Sequence, residues 1–179
     1  MIYDILRQRR DIILKEWEDS TLDFYANNLF KVREGRNDRF GNPLVYTISN
    51  GLVIILEELI GGTHTGKLDD ALEDIVKIRS LQMEKPSSVI GFLSCLKEII
   101  KNHLGDYNND RNAAEEIDKL YSVIDDLIFS AFDIFMRCRE KIYEIKANEI
   151  KKRSYKLWER VNMIDPALRQ KGEFEDDSD

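Results

Sequence analysis

Two histidines and two cysteines are the side chains of this sequence best suited to hold a metal ion or a haem. His64 lies in a glycine–threonine turn, and His103 lies just before Gly105 at the end of a predicted helix. Cys95 and Cys138 belong to two different predicted helices. These separated residues do not match the spacing of a structural zinc site, and His103 is better placed to interact with a helix C-terminal dipole than to ligate haem. We therefore expect no metal, no cofactor, and two buried, reduced thiols.

Adjacent acidic residues are the other candidates for chemistry. Neighbouring residues of a helix point about 100° apart, so two of them cannot act on one substrate as general acid and base. We expect these carboxylates to lie on solvated helix faces. The sequence also lacks the GxSxG, Walker and GxGxxG patterns of acyl-transfer and nucleotide chemistry. The residues therefore predict a protein that is not an enzyme. The acidic pairs are Asp69-Asp70, Glu115-Glu116 and Asp125-Asp126.

A short segment near residue 40 contains a strong helix-start signal. Asn42 can accept a hydrogen bond from a free backbone N–H at the start of a helix. Pro43 suits the first helical position, where its missing N–H has no effect on the hydrogen-bond ladder. Gly41 allows the chain to turn sharply before them. The segment predicts a tight corner that leads into a buried helix beginning at Pro43.

The same corner contains the residues that could line a ligand pocket. Arg39 could pair with a carboxylate on a neighbouring helix, or it could line the mouth of a small-ligand pocket together with Phe40 and Tyr46. Gly91 lies inside another predicted helix, where glycine is about 1 kcal/mol less favourable than alanine. Such a glycine marks a close helix crossing or a ligand near the backbone, so Gly91 and Phe92 complete the candidate pocket.

Composition indicates one helical domain. The chain has 179 residues, three prolines and nine glycines, and its hydrophobic fraction of 42% and charged fraction of 34% are typical of a globular protein with a charged surface. A net charge of −7 disfavours nucleic-acid binding, which needs a basic surface. The first residues do not resemble a signal peptide, and we find no apolar run that approaches the roughly 20 residues of a membrane span. We expect a cytoplasmic protein without membrane insertion.

Apolar spacing predicts five to six helices, arranged as a globin-like or helical-bundle fold. A bend at Asp19-Ser20 would divide the first of them. Pro86 ends the third helix, and Ser87 or Ser88 caps the fourth. The predicted helices span about Tyr3–Phe30, Pro43–Ile60, Lys67–Met83, a fourth helix up to Gly105, and Ala113–Val161.

The last predicted helix is too long for the domain. Residues 113–161 would extend about 70 Å, whereas a compact domain of this size is about 30–35 Å across. The helix must therefore break or leave the globule. Its core seam, from Ile117 to Ile145, has alternating spacings of four and three and is lost at Glu149. The domain is predicted to span residues 1–165, followed by a disordered acidic tail at 166–179. We expect dimer or partner contacts beyond the core, at Ile142, Ile145, Ile150, Tyr155 and Trp158.

Two motifs of the sequence are informative together. They are Arg39-Phe40-Gly41-Asn42-Pro43 with Tyr46-Thr47-Ile48, and Ile78-Arg79-Ser80-Leu81-Gln82 with Pro86-Ser87-Ser88-Val89-Ile90-Gly91-Phe92-Leu93. With Trp17 in the first helix, they resemble the RsbRD N-terminal domain family, the sensory module of the stressosome RsbT co-antagonists, from about Leu6 to Trp158. The resemblance implies a helical, globin-like or bundle domain that dimerises, acts as an input module and binds no haem. We expect the free-standing form, without the STAS domain that follows in stressosome proteins.

Our leading hypothesis is a sensory or regulatory homodimer that relays a signal to a partner protein through its C-terminal helix. A structural accessory subunit of a redox or sulfur-metabolism complex is the second hypothesis. A haem or gas sensor is the third, because His103 is its sole plausible ligand in a predicted core helix. A small apolar ligand is compatible with the first hypothesis.

Overall fold

The computed structural model describes residues 2–26, 42–62, 65–81, 85–105, 107 and 111–172; the side chains of 23–26, 111–112 and 161–172 are not among those described. Over these ranges all regular secondary structure is helical, which confirms the all-α fold class. The predicted His64, Arg39 and Phe40 lie outside the described residues. The six helices are α1 (Ile2–Gln8), α2 (Arg10–Ala26), α3 (Pro43–Gly61), α4 (Gly66–Leu81), α5 (Pro86–Leu104) and α6 (Arg111–Gly172).

The N-terminal helical region breaks at Arg9, and the predicted bend at Asp19-Ser20 is wrong because both residues lie inside α2. Arg9 ends α1 and starts α2: its backbone N–H donates to Ile5, and its carbonyl accepts from Ile13, each at 3.0 Å. Its guanidinium donates to the backbone carbonyl of His103 at 2.6 Å, which satisfies a free carbonyl near the end of α5. This bond ties the junction of α1 and α2 to the end of α5.

Local cap chemistry starts and ends α3 as predicted. The Asn42 side chain accepts a hydrogen bond from the backbone N–H of Val45 at 3.3 Å, and Pro43 is the first helical residue. Gly62 ends the helix with φ of 64°, a left-handed conformation that favours glycine. At α5 the prediction of a serine cap is wrong. Lys85 occupies the cap position without a side-chain hydrogen bond, because Pro86 is already the first residue of the helix.

Helices α3 and α4 pack closely against each other at Gly51. A Cβ atom added at Gly51 would lie 2.8 Å from Ile75 Cδ1, so α4 approaches α3 at this glycine. At Gly91 no atom of a described residue lies within 4 Å of such a Cβ. The prediction that Gly91 marks a close helix crossing is therefore wrong, and Gly51 holds that role. The sequence pattern identified the buried helices, but it did not identify the faces on which they cross.

Helix α3 is the most apolar element of the described chain. It is long and apolar enough to cross a membrane by length and composition, so the expectation that no run approaches that length was too strict. A buried core helix passes the same test. Ile48, Leu52, Ile55 and Leu56 of α3 are fully buried within the helical core, which is how the structure accounts for its apolar character.

Contacts divide the chain into two units, Met1–Cys138 and Arg139–Asp179. In the first unit α6 supplies core residues such as Ile124, Leu127 and Ala131. In the second unit every described side chain from Tyr143 to Arg160 is exposed. Helix α6 is assigned without interruption to Gly172, so the predicted long helix is confirmed and its backbone continues into the segment predicted as a tail.

Candidate functional site

A buried cluster joins α2, α4 and α5 through three residues of the sequence motifs. The Trp17 indole N–H donates to the backbone carbonyl of Phe92 at 2.6 Å. The two rings are stacked, with centroids 5.9 Å apart and planes inclined by 15°. The guanidinium carbon of Arg79 also lies over the Phe92 ring, 5.8 Å from the ring centroid. The arrangement places one aromatic ring against both an indole and a cation.

Arg79 is fully buried, which is rare for a charged side chain. Its Nη2 donates to the backbone carbonyl of Ser88 at 2.8 Å, in the first turn of α5. A buried guanidinium must be compensated by hydrogen bonds and favourable contacts, since an uncompensated one would strongly destabilise the fold. The Phe92 face supplies part of that compensation through a cation–π contact. Arg79 thereby ties the last turn of α4 to the first turn of α5.

Of the residues predicted to line a ligand pocket, the structure describes Tyr46, Gly91 and Phe92. Phe92 is buried, but its ring is engaged by Trp17 and Arg79 rather than facing an opening. Tyr46 and Gly91 are half-buried, and neither lines the cavity between α1, α3, α4 and α6. The pairing proposed for Arg39 concerns a residue outside the described ranges.

His103 is held by a carboxylate and lies where the sequence placed it, in the last turn of α5. Its Nε2 lies 3.0 Å from Glu16 Oε2 on α2, and its ring is largely buried. A haem iron would have to displace this contact to reach Nε2. Together with the Arg9 bond to its carbonyl, His103 ties the end of α5 to the α1–α2 junction and to α2.

Neither cysteine forms a disulfide bond. Cys95 and Cys138 are free thiols, as expected, but they are half-buried rather than buried. The Sγ atom of Cys95 lies 3.0 Å from Ser20 Oγ. No group of three or more histidine, cysteine or acidic residues suited to a metal ion occurs among the described residues.

Two of the acidic pairs fix helices rather than face solvent alone. Asp125 accepts from Lys97 Nζ through both carboxylate oxygens at 2.8 Å, which joins α6 to α5. The Glu116 carboxylate accepts from the backbone N–H of Ile2 at 3.0 Å. This hydrogen bond to the charged form lowers the pKa of Glu116 below its ordinary value.

A small cavity of about 210 Å³ lies between α1, α3, α4 and α6. Its walls are mainly apolar, and its polar groups include the Glu58 carboxyl. Glu58 is almost fully buried because it accepts from both the backbone N–H (at 2.9 Å) and the hydroxyl of Thr65, just before α4 begins. The carboxylate therefore serves as a cap for α4. The lining residues are Tyr3, Glu58, Leu59, Gly62, Leu68, Leu120 and Val123.

Several large apolar side chains of α6 are exposed to solvent. In the first unit Phe129 is 69% exposed, and Phe132 and Met136 are also exposed on the same helix. Large apolar side chains grouped on one face are typical of interaction surfaces, whereas single ones are ordinary. This patch was missed at the sequence level, because these residues fitted the general apolar content of a core helix.

In the second unit the described exposed apolar residues are a row of three and three others outside it. Tyr143, Ile150 and Leu157 follow one another at intervals of seven residues, and Ile150 is 67% exposed. Ile145 and Tyr155 are exposed on other faces. The row adds Tyr143 and Leu157 to the predicted contact residues and keeps Ile150. An interval of seven could have identified it, since the same interval leads back in the sequence to Met136 and Phe129.

The two remaining predicted contact residues, Trp158 and Ile142, differ in exposure. Trp158 is 62% exposed beside the row, and its ring centroid lies 6.2 Å from that of Tyr155. Ile142 is half-buried, at the end of the core seam. Four of the five predicted contact residues are thus exposed on α6, while Ile142 continues the core face.

Comparison of the chain with known protein families, curated proteins and solved structures gives no match. The function of the protein is therefore inferred from the geometry of its helices and their surfaces.

Proposed function

We propose that this protein is a non-enzymatic sensory or regulatory module of the cytoplasm. It acts as a homodimer and relays a signal to a partner protein through α6. The observation that carries the proposal is the exposed row Tyr143, Ile150 and Leu157 on a helix whose earlier part belongs to the core. Exposed apolar side chains of this size favour burial against another chain, because each contributes about 1.5–3 kcal/mol when it leaves water.

The family resemblance supports the same function. Trp17, Arg79 and Phe92 belong to separate parts of the RsbRD-like pattern, and they contact one another in the core. A buried contact among them gives a physical reason for the pattern. We therefore retain membership of the RsbRD N-terminal domain family as part of the proposal.

The mechanism is a shift of packed helices. A ligand or partner that prefers one arrangement of α6 over another changes the population of the two arrangements by its difference in affinity. The cavity at Glu58 and Leu120 adjoins α6 and has room for a small molecule. It is the place in the described core where a signal molecule would act on that helix.

Light scattering on the full chain tests the proposal. We expect the mass of a dimer for the natural sequence and of a monomer for Ile150→Glu with Leu157→Glu, because each dimer would bury four additional carboxylates. The matched control is Ile145→Glu with Tyr155→Glu, which adds the same charge outside the row and leaves the dimer intact. A monomer for the natural sequence, or equal effects of the two pairs, contradicts the proposal.

A further inference from the structure

The exposed row of the second unit has the spacing of a coiled coil. Lettered as heptads, the row residues Tyr143, Ile150 and Leu157 are d positions. The a positions between them are Ala147 and Ser154, both exposed and both small enough for two helices to approach closely. In the sequence the same pattern continues at Val161, Ile164 and Leu168, whose side chains are outside those described.

We propose that residues 143–157 of α6 pair with the same residues of a second copy as a parallel, in-register coiled coil. The inference deepens the proposed function, on whose homodimer it depends. It specifies the face, the direction and the register of the pairing, none of which follows from dimerisation alone.

The strict interval of seven favours a second helix over a flat surface. On a straight α-helix, residues seven apart drift by about 20° per heptad. From Tyr143 to Leu157 the sequence contains two such intervals, so the row would turn by about 40° around a straight helix. Two helices that supercoil around each other remove this drift, so the row of residues 143–157 stays against the second helix along its length.

Charge complementarity sets the direction of the pairing. The g positions beside the row are Arg139, Lys146, Arg153 and Arg160, and all are basic. An antiparallel pair would place these g positions opposite one another, so like charges would meet along one whole edge of the interface.

In a parallel pair, each g position faces the e position five residues further on in the second copy. Arg139 then faces Glu144, an attractive pair, and Arg153 faces the exposed indole of Trp158, a favourable cation–π pair. One repulsive pair remains, between Lys146 and Lys151. Two favourable pairs against one unfavourable pair make the parallel arrangement the better one.

Two exposed apolar residues outside the row agree with this assignment. Tyr155 and Ile145 occupy the outer b and f positions, which a two-stranded coiled coil leaves in solvent. Lys152 is also an f position and is exposed. It provides a control site one residue from Lys151 with the same charge and a different face.

The first experiment changes the repulsive pair in the full chain. Lys151→Glu turns the contact with Lys146 of the second copy into an opposite-charge pair, twice per dimer. We expect the dimer dissociation constant, measured by sedimentation, to fall about five- to tenfold at low salt. Lys152→Glu makes the same charge change at the outer position and leaves the constant within about twofold. Equal effects of the two substitutions overturn the proposed pairing.

The second experiment measures the register. In a full chain that carries Cys95→Ala and Cys138→Ser, a cysteine at an a position meets its own copy within disulfide distance in a parallel, in-register pair. We expect Ser154→Cys to form a disulfide-linked dimer rapidly and Lys152→Cys to form one slowly. The rate at Ser154→Cys, compared with that at Lys152→Cys, reads the register without depending on the charge experiment.

The outcomes separate this inference from the proposed function. A dimer in which Ser154→Cys cross-links no faster than Lys152→Cys overturns the parallel register and leaves the homodimer standing. A chain that stays monomeric at all concentrations overturns both. A monomer that binds vesicles of anionic phospholipid would assign the row to a lipid surface and would also overturn the pairing.

Discussion

Substituting alanine for two helical glycines, Gly51 and Gly91, tests where the helices of the core cross. Alanine is more favourable than glycine inside a helix by about 1 kcal/mol. At Gly91 no described atom lies within 4 Å of the new Cβ, so we expect Gly91→Ala to stabilise the protein by about 1 kcal/mol. That gain corresponds to a rise in melting temperature of about 2–4 °C for a chain of this size.

At Gly51 the same change meets a buried neighbour. The new Cβ would lie 2.8 Å from Ile75 Cδ1 and 3.0 Å from Cγ1, and the Ile75 side chain is fully buried. Overpacking of this kind costs about 1–3 kcal/mol. After the helix-propensity gain of about 1 kcal/mol, we expect Gly51→Ala to change stability by between zero and a loss of about 2 kcal/mol.

Urea denaturation followed by far-UV circular dichroism measures both free energies of unfolding. A double-mutant cycle makes the reasoning specific, because Ile75→Val removes Cδ1 at a cost of about 0.5–1.5 kcal/mol by itself. We expect Gly51→Ala to be less damaging when combined with Ile75→Val than when alone. Equal stabilisation by Gly51→Ala and Gly91→Ala, or strict additivity with Ile75→Val, would refute the assigned crossing.

Three further predictions concern named contacts. Asn42→Ala removes the cap of α3 and should lower the free energy of unfolding by about 1 kcal/mol; Asn42→Asp, which keeps an acceptor, is the control in the same denaturation assay. Arg79→Lys should lower it by about 1.5–3 kcal/mol, because an ammonium cannot both cover the Phe92 ring and donate to Ser88; no change in melting temperature would show that the guanidinium geometry is unimportant. Glu116→Gln should matter at neutral pH and not in acid. The pKa of Glu116 is lowered in the folded protein, so its contribution is present above the ordinary carboxyl pKa and lost as the pH falls through the lowered value; a difference between natural and variant protein that is constant with pH would contradict this.

The parts of the fold that follow from local chemistry were predictable. Asn42 and Pro43 specify the start of α3 through hydrogen bonding and backbone restriction that need no other helix. The existence of a long α6 was predictable from the helical pattern of residues 113–161, although the helix continues to Gly172. The contact of Arg9 with a carbonyl of α5 was not predictable, because that carbonyl is 94 residues away in the sequence.

The candidate surfaces show the same distinction. Arg79 reads as a surface residue by type, and its burial depends on the placement of Phe92 and Ser88 by another helix. Gly91 was chosen as the crossing because it interrupts an apolar helix, yet Gly51 faces α4. The exposed row on α6 was partly predicted, since Ile150 was named. Its continuation to Tyr143 and Leu157 became evident only when the buried and exposed residues of α6 were distinguished.

Hydrogen exchange of the backbone amides of residues 143–157 in the full chain tests the central claim most directly. A helix that is covered by a second copy exchanges slowly, and its protection rises with protein concentration as the dimer fills. We predict that concentration-dependent protection for the natural sequence and its loss in Ile150→Glu with Leu157→Glu. Fast exchange of these amides at every concentration would contradict the claim that this row of α6 is the contact through which the protein dimerises.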